Sequence, residues 1–257
     1  MRSSEKFMTA ETSRTATGTV DPAEVARFSQ LSEEWWDPKG RMAPLHKMNP
    51  LRLTYIRDAA CRRFNRNPKS LNCLAGLRIL DIGCGAGLLC EPLNRLGAQV
   101  VGVDPSETNI SIARAHADKS QLLIDYRCTT IEAMDLRERF DIVLAMEVVE
   151  HVADLALFLD RCAALTKPGG MMAVATLNRT WKSFALAIVG AEYILRWLPR
   201  GTHQWDKFVT PDEVEMHLTR NHLTIAEQSG MTYSPLADRW SLSGDMDVNY
   251  LMIAEKD

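Results

Sequence analysis

The sequence has no C-x-x-C pair, no uninterrupted apolar run long enough for a membrane span, and no surplus of charge of either sign. Each absence excludes something. Six cysteines (Cys61, Cys73, Cys84, Cys90, Cys128 and Cys162) are scattered through 257 residues, so a disulfide framework is not expected and reduced, intracellular thiols are. A net charge of -3 gives no electrostatic footing for nucleic acid. The first twenty or so residues are rich in Ser and Thr, carry Glu5 and Glu11 and lack an apolar stretch. Neither a secretory signal nor an organellar transit peptide is expected there, the acids arguing against the second, and residues 1–21 are expected to be a disordered tail. No repeat or low-complexity region stands out. With 46% apolar residues the chain can bury one substantial core, which favours one domain with appendages over two full domains.

What is present centres on Leu80-Asp81-Ile82-Gly83-Cys84-Gly85-Ala86-Gly87 and Val101-Gly102-Val103-Asp104. An apolar strand pattern runs into a glycine-rich turn and then a helix, and a second strand ends on an acid. Glycine permits φ > 0 and close approach of the backbone to a ligand. An acid at the end of the second strand can accept hydrogen bonds from ribose hydroxyls. A nucleoside cofactor is the expected ligand.

The spacing narrows the choice. A dinucleotide fingerprint would place a third glycine where Leu88 stands, which counts against a nicotinamide oxidoreductase. The acid Asp81, two residues before Gly83, would repel a pyrophosphate but suits a ligand with an ammonium group. S-adenosylmethionine has ribose hydroxyls, a cationic amino acid end and no phosphate. The pattern resembles motif I of the class I methyltransferases. A strand-turn-helix with incidental glycines is the plain alternative, and the partnered Asp104 weighs against it.

Along the chain, residues 22–36 carry Val25, Phe28, Leu31 and Trp35 at helical spacing. A loop with Pro44 and Pro50 then leads to a second helix over 51–64, and a polar stretch with Pro68 marks a boundary near 72. From there strands are expected at 77–82, 99–104, 122–128, 140–146 and 171–176, with helices at 88–96, 107–117 and 154–166. Such alternation implies a parallel sheet with crossover helices. The expected fold is α/β: a doubly wound, Rossmann-like domain over 73–257, an N-terminal helical cap over 22–72, and a helical insertion over 178–210 after the fifth strand.

Met146-Glu147-Val148-Val149-Glu150-His151 follows the fourth strand, where ligand-facing residues of an open parallel sheet emerge. If the chain turns helical there, Glu147, Glu150 and His151 share one face. Three readings remain open. The trio could hold a divalent cation such as Mg, which would acidify a bound phenol. His151, backed by Glu150, could be a general base. Or Glu150 and His151 could merely shape the entry to the next helix.

Further segments carry a closer resemblance: Trp35-Trp36-Asp37, Pro44-Leu45-His46, Asn49-Pro50-Leu51-Arg52, Thr176-Leu177-Asn178-Arg179, Gly201-Thr202-His203 and Asp247-Val248-Asn249-Tyr250. Together with residues 189–196 they resemble the ubiquinone biosynthesis O-methyltransferases, from about Val25 to the end of the chain. The resemblance implies methylation of two phenolic hydroxyls, on 2-polyprenyl-6-hydroxyphenol and on 3-demethylubiquinol. It implies cofactor contacts at Arg52, Gly83, Asp104 and Met146, beside Asp81 and Gly85 of the glycine turn. Arg52 would pair with the cofactor carboxylate and Met146 would offer adenine a polarizable surface, although a solvated Arg52 and a core Met146 are the plainer alternatives. The eukaryotic relatives imply a metal role for Glu147, Glu150 and His151.

Residues 181–198 are apolar over most of the circumference, with Glu192 and Arg196 spaced to pair. Such a helix is buried or lies against lipid, and it is too short and too charged to cross a bilayer. Lys182, Arg196 and Arg200 fit docking on a membrane surface. The expected partners are a polyprenyl phenol or catechol, the membrane surface and other ubiquinone-biosynthesis enzymes, and the expected place is the cytoplasmic side of the inner membrane, peripherally held. A small-molecule catechol O-methyltransferase, a quinone C-methyltransferase and a non-catalytic cofactor-binding scaffold are the competing functions.

Overall fold

A computed structural model of the chain describes residues 18–21, 24–26, 34–183 and 207–257. The strands are β1 (Arg78–Ile82), β2 (Gln99–Asp104), β3 (Asp125–Cys128), β4 (Phe140–Met146), β5 (Thr166–Leu177), β6 (Leu223–Ser234), β7 (Arg239–Ser243) and β8 (Asn249–Lys256). They form one eight-stranded sheet in the order β3-β2-β1-β4-β5-β8-β6-β7. The first five pair in parallel, as the strand–helix alternation implies. β6, β7 and β8 pair antiparallel. That part of the sheet is not legible as alternation, because its strands follow one another without intervening helices.

Both faces of the sheet are covered, and this explains why its central strands read as continuous apolar runs. Ile79, Ile142, Leu144, Ala173 and Ile253 face one cluster, while Leu80, Val143, Ala145, Val174 and Met252 face the other. Helices α1 (Ala43–Arg63), α2 (Cys90–Arg95) and α3 (Glu107–Lys119) pack on the first face. Helices α4 (Leu155–Leu165) and α5 (Pro211–Arg220) pack on the second. Each of the last three starts at a capping side chain. Ser106 accepts from the Asn109 amide, Asp154 from that of Leu157, and Thr210 forms a reciprocal box with Glu213, each satisfying otherwise orphaned backbone donors.

Three expectations change. The second helix begins at Ala43 and runs through Pro50 instead of starting at residue 51. Pro44 sits in the first turn, where its missing N–H costs nothing. Pro50 lies inside the helix and removes one backbone bond, but the face carrying Tyr55, Ile56, Ala59 and Ala60 is buried in the sheet's own core. Tertiary packing here outweighs the local penalty, and α1 shares one core with the sheet. The tail boundary also moves. Thr19 is buried and Val20 forms a bridge with Val152, so residues 18–21 belong to the folded domain. Third, the helix after β1 is shorter than expected, spanning Cys90–Arg95. Residues 1–17, most of the first expected helix, and the insertion from 184 to 206, including the Glu192–Arg196 pair, lie outside the described residues.

Candidate active site

Leaving β1, the chain builds the sheet outward through β2 and β3, then returns to β4 on the other side of β1. That reversal opens a crevice at the carboxyl ends of β1 and β4. A cavity of about 690 Å³ occupies it, lined among others by Arg52, Asp81, Gly83, Asp104, Met146 and His151.

The glycine turn forms one wall. Gly83 and Cys84 both donate their N–H to the Val103 carbonyl, at 2.8 and 3.1 Å. Gly83 has φ +67°, and a Cβ there would lie 2.5 Å from Cγ2 of Val148. Glycine is required by both backbone angle and space. Gly85, also at positive φ, donates to Oδ2 of Asp104 at 3.0 Å. Asp104 further accepts from the Ser106 N–H at 2.9 Å and the Asn109 amide at 3.3 Å. Burial raises its pKa, while the Ser106 and Gly85 N–H groups and the Asn109 amide pull the other way. Asp81 is fully buried, and burial pushes its carboxyl up to about 7; the Cys90 thiol donating to it lowers it, and the charge of Asp104 raises it. A buried carboxyl in this state gains from a cationic ligand.

Arg52 comes from α1. Only 2% of its side chain is exposed, and it donates to Glu147 in an ion pair. Its Nε is buried without a protein partner, which leaves a charged donor for an anionic ligand group. Met146 both closes the core cluster and lines the cavity.

The Glu147, Glu150 and His151 trio is not arranged as the sequence reading expects. Glu147 takes a left-handed φ of +57°, which breaks any helix at that point, and only Val149–His151 form a single 3-10 turn. Glu147 turns to Arg52. The Oε2 atom of Glu150 accepts from the Thr176 hydroxyl at 2.7 Å, and its other oxygen is buried without a hydrogen bond. Nδ1 of His151 lies 3.1 Å from Oε2 of Glu24, and its Nε2 lies 4.0 Å from Oε1 of Glu150. Among the described residues no three His, Cys, Asp or Glu side chains are gathered to hold a metal ion. Glu147 is paired with Arg52 and only one Glu150 oxygen is hydrogen-bonded, so the three side chains are not brought together as a cation-binding trio.

Glu150 and His151 both have raised pKa values. Burial, aided by the charge of Glu147, pushes Glu150 up to about 7 against the opposing influence of His151 and the Thr176 hydroxyl. For His151, burial favours the neutral ring, but the hydrogen bond to Glu24 and the charges of Glu150, Glu24 and Glu147 outweigh it and raise the pKa above its ordinary value.

Two contributors escape sequence reasoning. Glu24 and Trp35 belong to the N-terminal segment, yet Glu24 is buried at His151 and the Trp35 indole packs over Gly85. Nothing in their local spacing connects Glu24 to His151 or Trp35 to Gly85, each distant along the chain. Neighbouring Trp36 fixes this segment by donating its indole N–H to the Ala86 carbonyl at 3.1 Å and stacking on His116 at 3.5 Å.

Comparisons with known proteins bear on this arrangement. A family model described as "Methyltransferase domain" matches residues 80–174. A ubiquinone biosynthesis O-methyltransferase of Rhodopseudomonas palustris is 73% identical over 248 residues, covering 96% of this chain and 98% of the relative. One from Bradyrhizobium sp. is 74% identical over 97% of this chain and 98% of its own length. Among solved structures, magnesium protoporphyrin IX methyltransferase from Synechocystis with bound SAH superposes with a TM-score of 0.65, at 17% identity over 90% of this chain and 95% of that one. At that identity the likeness is one of fold, the class I methyltransferase fold.

Proposed function

This chain belongs to the ubiquinone biosynthesis O-methyltransferases, and from that premise we propose that it methylates phenolic hydroxyls on polyprenyl-bearing rings, those of 2-polyprenyl-6-hydroxyphenol and 3-demethylubiquinol. The observation that carries the reading is the pairing, across one cavity, of the Gly83–Asp104 wall with the buried His151. The first is built for a nucleoside and the second for a proton.

The residues present fit S-adenosylmethionine. Asp104 would take the ribose hydroxyls, Asp81 would face the ammonium group, the free Nε of Arg52 would meet the carboxylate, and Met146 would lie against adenine. When bound, the cofactor would supply an electrophilic methyl carbon on a sulfonium, so that transfer to the phenolic oxygen would leave the C–S electron pair on sulfur. His151 takes the phenolic proton at Nε2, because a phenol with a pKa near 10 is mostly protonated at neutral pH. The resulting imidazolium is stabilised by Glu24 on its other nitrogen. No step is assigned to a cation, since Glu147 pairs with Arg52 and the three side chains do not form a ligand cluster.

The reading extends to the membrane. A polyprenyl tail dissolves in the bilayer, and we place the enzyme peripherally on the cytoplasmic face of the inner membrane, in reach of other enzymes of the pathway. Trp181, 77% exposed at the start of the apolar stretch beside Lys182, supports docking there. Among the described residues no helix is long and apolar enough to cross a membrane.

The test is an assay with labelled S-adenosylmethionine and a short-tailed polyprenyl catechol, with and without chelator. Methyl transfer to oxygen is expected in both arms. Transfer to ring carbon, or none to the catechol, overturns the reading. Acids placed at Phe184 and Ile188 should depress activity on long-tailed substrates in anionic vesicles and spare short-tailed, soluble ones. Equal loss on both overturns the membrane part.

A further inference from the structure

Asn109 stands in the first turn of α3, where its backbone N–H donates to the Ser106 hydroxyl at 3.3 Å and its side-chain amide donates to Oδ1 of Asp104, also at 3.3 Å. The residue lines the cavity and is only 2% exposed. Its neighbour fixes which way the amide points. Oδ1 of Asp104 already accepts from the Ser106 N–H, so it must receive the NH2 end, and the opposite orientation would set two acceptor oxygens against each other. The carbonyl oxygen, Oδ1 of Asn109, is left buried with no hydrogen-bond partner. A buried carbonyl in that state is costly unless a ligand donor satisfies it.

We propose that Asn109 is a cofactor-binding residue that shares the ribose with Asp104, each taking one of its two hydroxyls. The inference rests on S-adenosylmethionine as the ligand of this cavity and concerns how its nucleoside is seated. A carboxylate offers about four lone-pair sites. The chain itself fills three of those on Asp104: two on Oδ1, from the Ser106 N–H and the Asn109 amide, and one on Oδ2, from the Gly85 N–H. About one site remains on Oδ2, whereas a ribose brings two neighbouring hydroxyls, each a donor. The second hydroxyl needs another acceptor beside the first. Asn109 supplies it, because its unpartnered oxygen shares a carbon with the nitrogen that touches Asp104. Both acceptors are held before any ligand arrives, Asp104 by two backbone N–H groups and Asn109 by Ser106 and Asp104. Such a seat favours a nucleoside with both hydroxyls over one that lacks either.

The test is calorimetry on the full chain, with S-adenosylhomocysteine and its 2′-deoxy and 3′-deoxy analogues, in wild type, N109A and D104A. N109A should bind S-adenosylhomocysteine about three- to tenfold more weakly than wild type, the range for one neutral hydrogen bond. That deficit should vanish for one deoxy analogue and persist for the other. In D104A the deficit should shrink most for the other analogue, because each variant removes the partner of a different hydroxyl. N109L, which keeps the side-chain volume and removes both polar atoms, carries the same comparison should N109A not fold by circular dichroism. If both variants are blind to the same hydroxyl, Asn109 acts only by orienting Asp104 and the proposal is overturned. An Asn109 deficit that is absent, or equal for all three ligands, overturns it as well. Wild type that binds none of the three would instead remove the cofactor reading on which it rests.

Discussion

Arg52 on α1 and Glu147 at the exit of β4 form an ion pair whose guanidinium side is buried to 2% exposure while the carboxylate keeps 24%. The pair ties the N-terminal helix to the end of the strand that precedes the His151 turn, at a residue with a left-handed φ of +57°. A buried charge that loses its partner is costly. Glu147→Ala should therefore cost about 1–3 kcal/mol, checked by urea unfolding with and without S-adenosylmethionine. The deficit should shrink when the cofactor is present, because its carboxylate offers Arg52 a second partner. An unchanged deficit would place the carboxylate elsewhere.

Asp104→Ala should weaken cofactor binding by roughly ten- to a hundredfold, the loss of a charged acceptor for ribose hydroxyls at about 1.5–3 kcal/mol. Asp104 also accepts from Gly85, Ser106 and Asn109, so the variant should lose some thermal stability without cofactor too. Calorimetry showing wild-type affinity would remove Asp104 from the site.

Gly83→Ala should be impaired in both stability and cofactor affinity, since its Cβ would meet Val148 at 2.5 Å in a backbone region alanine disfavours. Adding Val148→Ala relieves the collision but not the φ of +67°. The double variant should recover part of the loss, with the remainder, about 1–2 kcal/mol, belonging to the backbone. Full recovery would show that space alone demands the glycine.

Much of this was legible in the sequence. Gly83, Asp104 and the five parallel strands follow from local pattern, because strand, turn and acid are neighbours along the chain or one crossover apart. The geometry of Glu147 to His151 was not legible. A helical turn there satisfies local propensity, but the Glu147 N–H is bonded to the Ala175 carbonyl and its carboxylate to Arg52, both distant in sequence. Glu24 was invisible for a related reason. Its role depends on the bridge between Val20 and Val152, a contact across more than a hundred residues that no periodicity records.

Stability without cofactor should fall as pH rises from about 4 to about 7. The Asp81 carboxyl is raised from 3.8 to about 7 in the fold, so the folded state holds a proton the unfolded chain has already released. The contribution is complete below the unfolded value and is lost as pH climbs through the folded one. Glu150, also raised to about 7, acts in the same direction, and Asp81→Asn separates the two. That variant should be more heat-stable than wild type at pH 8 and bind S-adenosylmethionine more weakly. In the wild type the rise in Tm on adding cofactor should grow from pH 6 to pH 8, because the ammonium group favours ionised Asp81. A gain independent of pH would mean that Asp81 does not face the ammonium.

His151→Ala should lower kcat by about 10²–10⁴, the usual range for a lost general base, while cofactor affinity measured by calorimetry stays close to wild type. The base must be neutral to accept a proton, and Glu24, Glu150 and Glu147 raise its pKa above 6.5. Wild-type kcat/KM should therefore decline on the acid side from a point above 6.5, and that limb should be absent in the variant. Chelators should leave the rate unchanged, because Glu147 is held by Arg52 and the Glu150 carboxylate by Thr176. Loss of activity on chelation, restored by a divalent ion and mimicked by Glu147→Ala and Glu150→Ala alike, would transfer phenol activation to a cation that draws these side chains together. Full activity in His151→Ala with indifference to chelator would remove both routes and leave alignment of the hydroxyl with the methyl carbon as the enzyme's contribution.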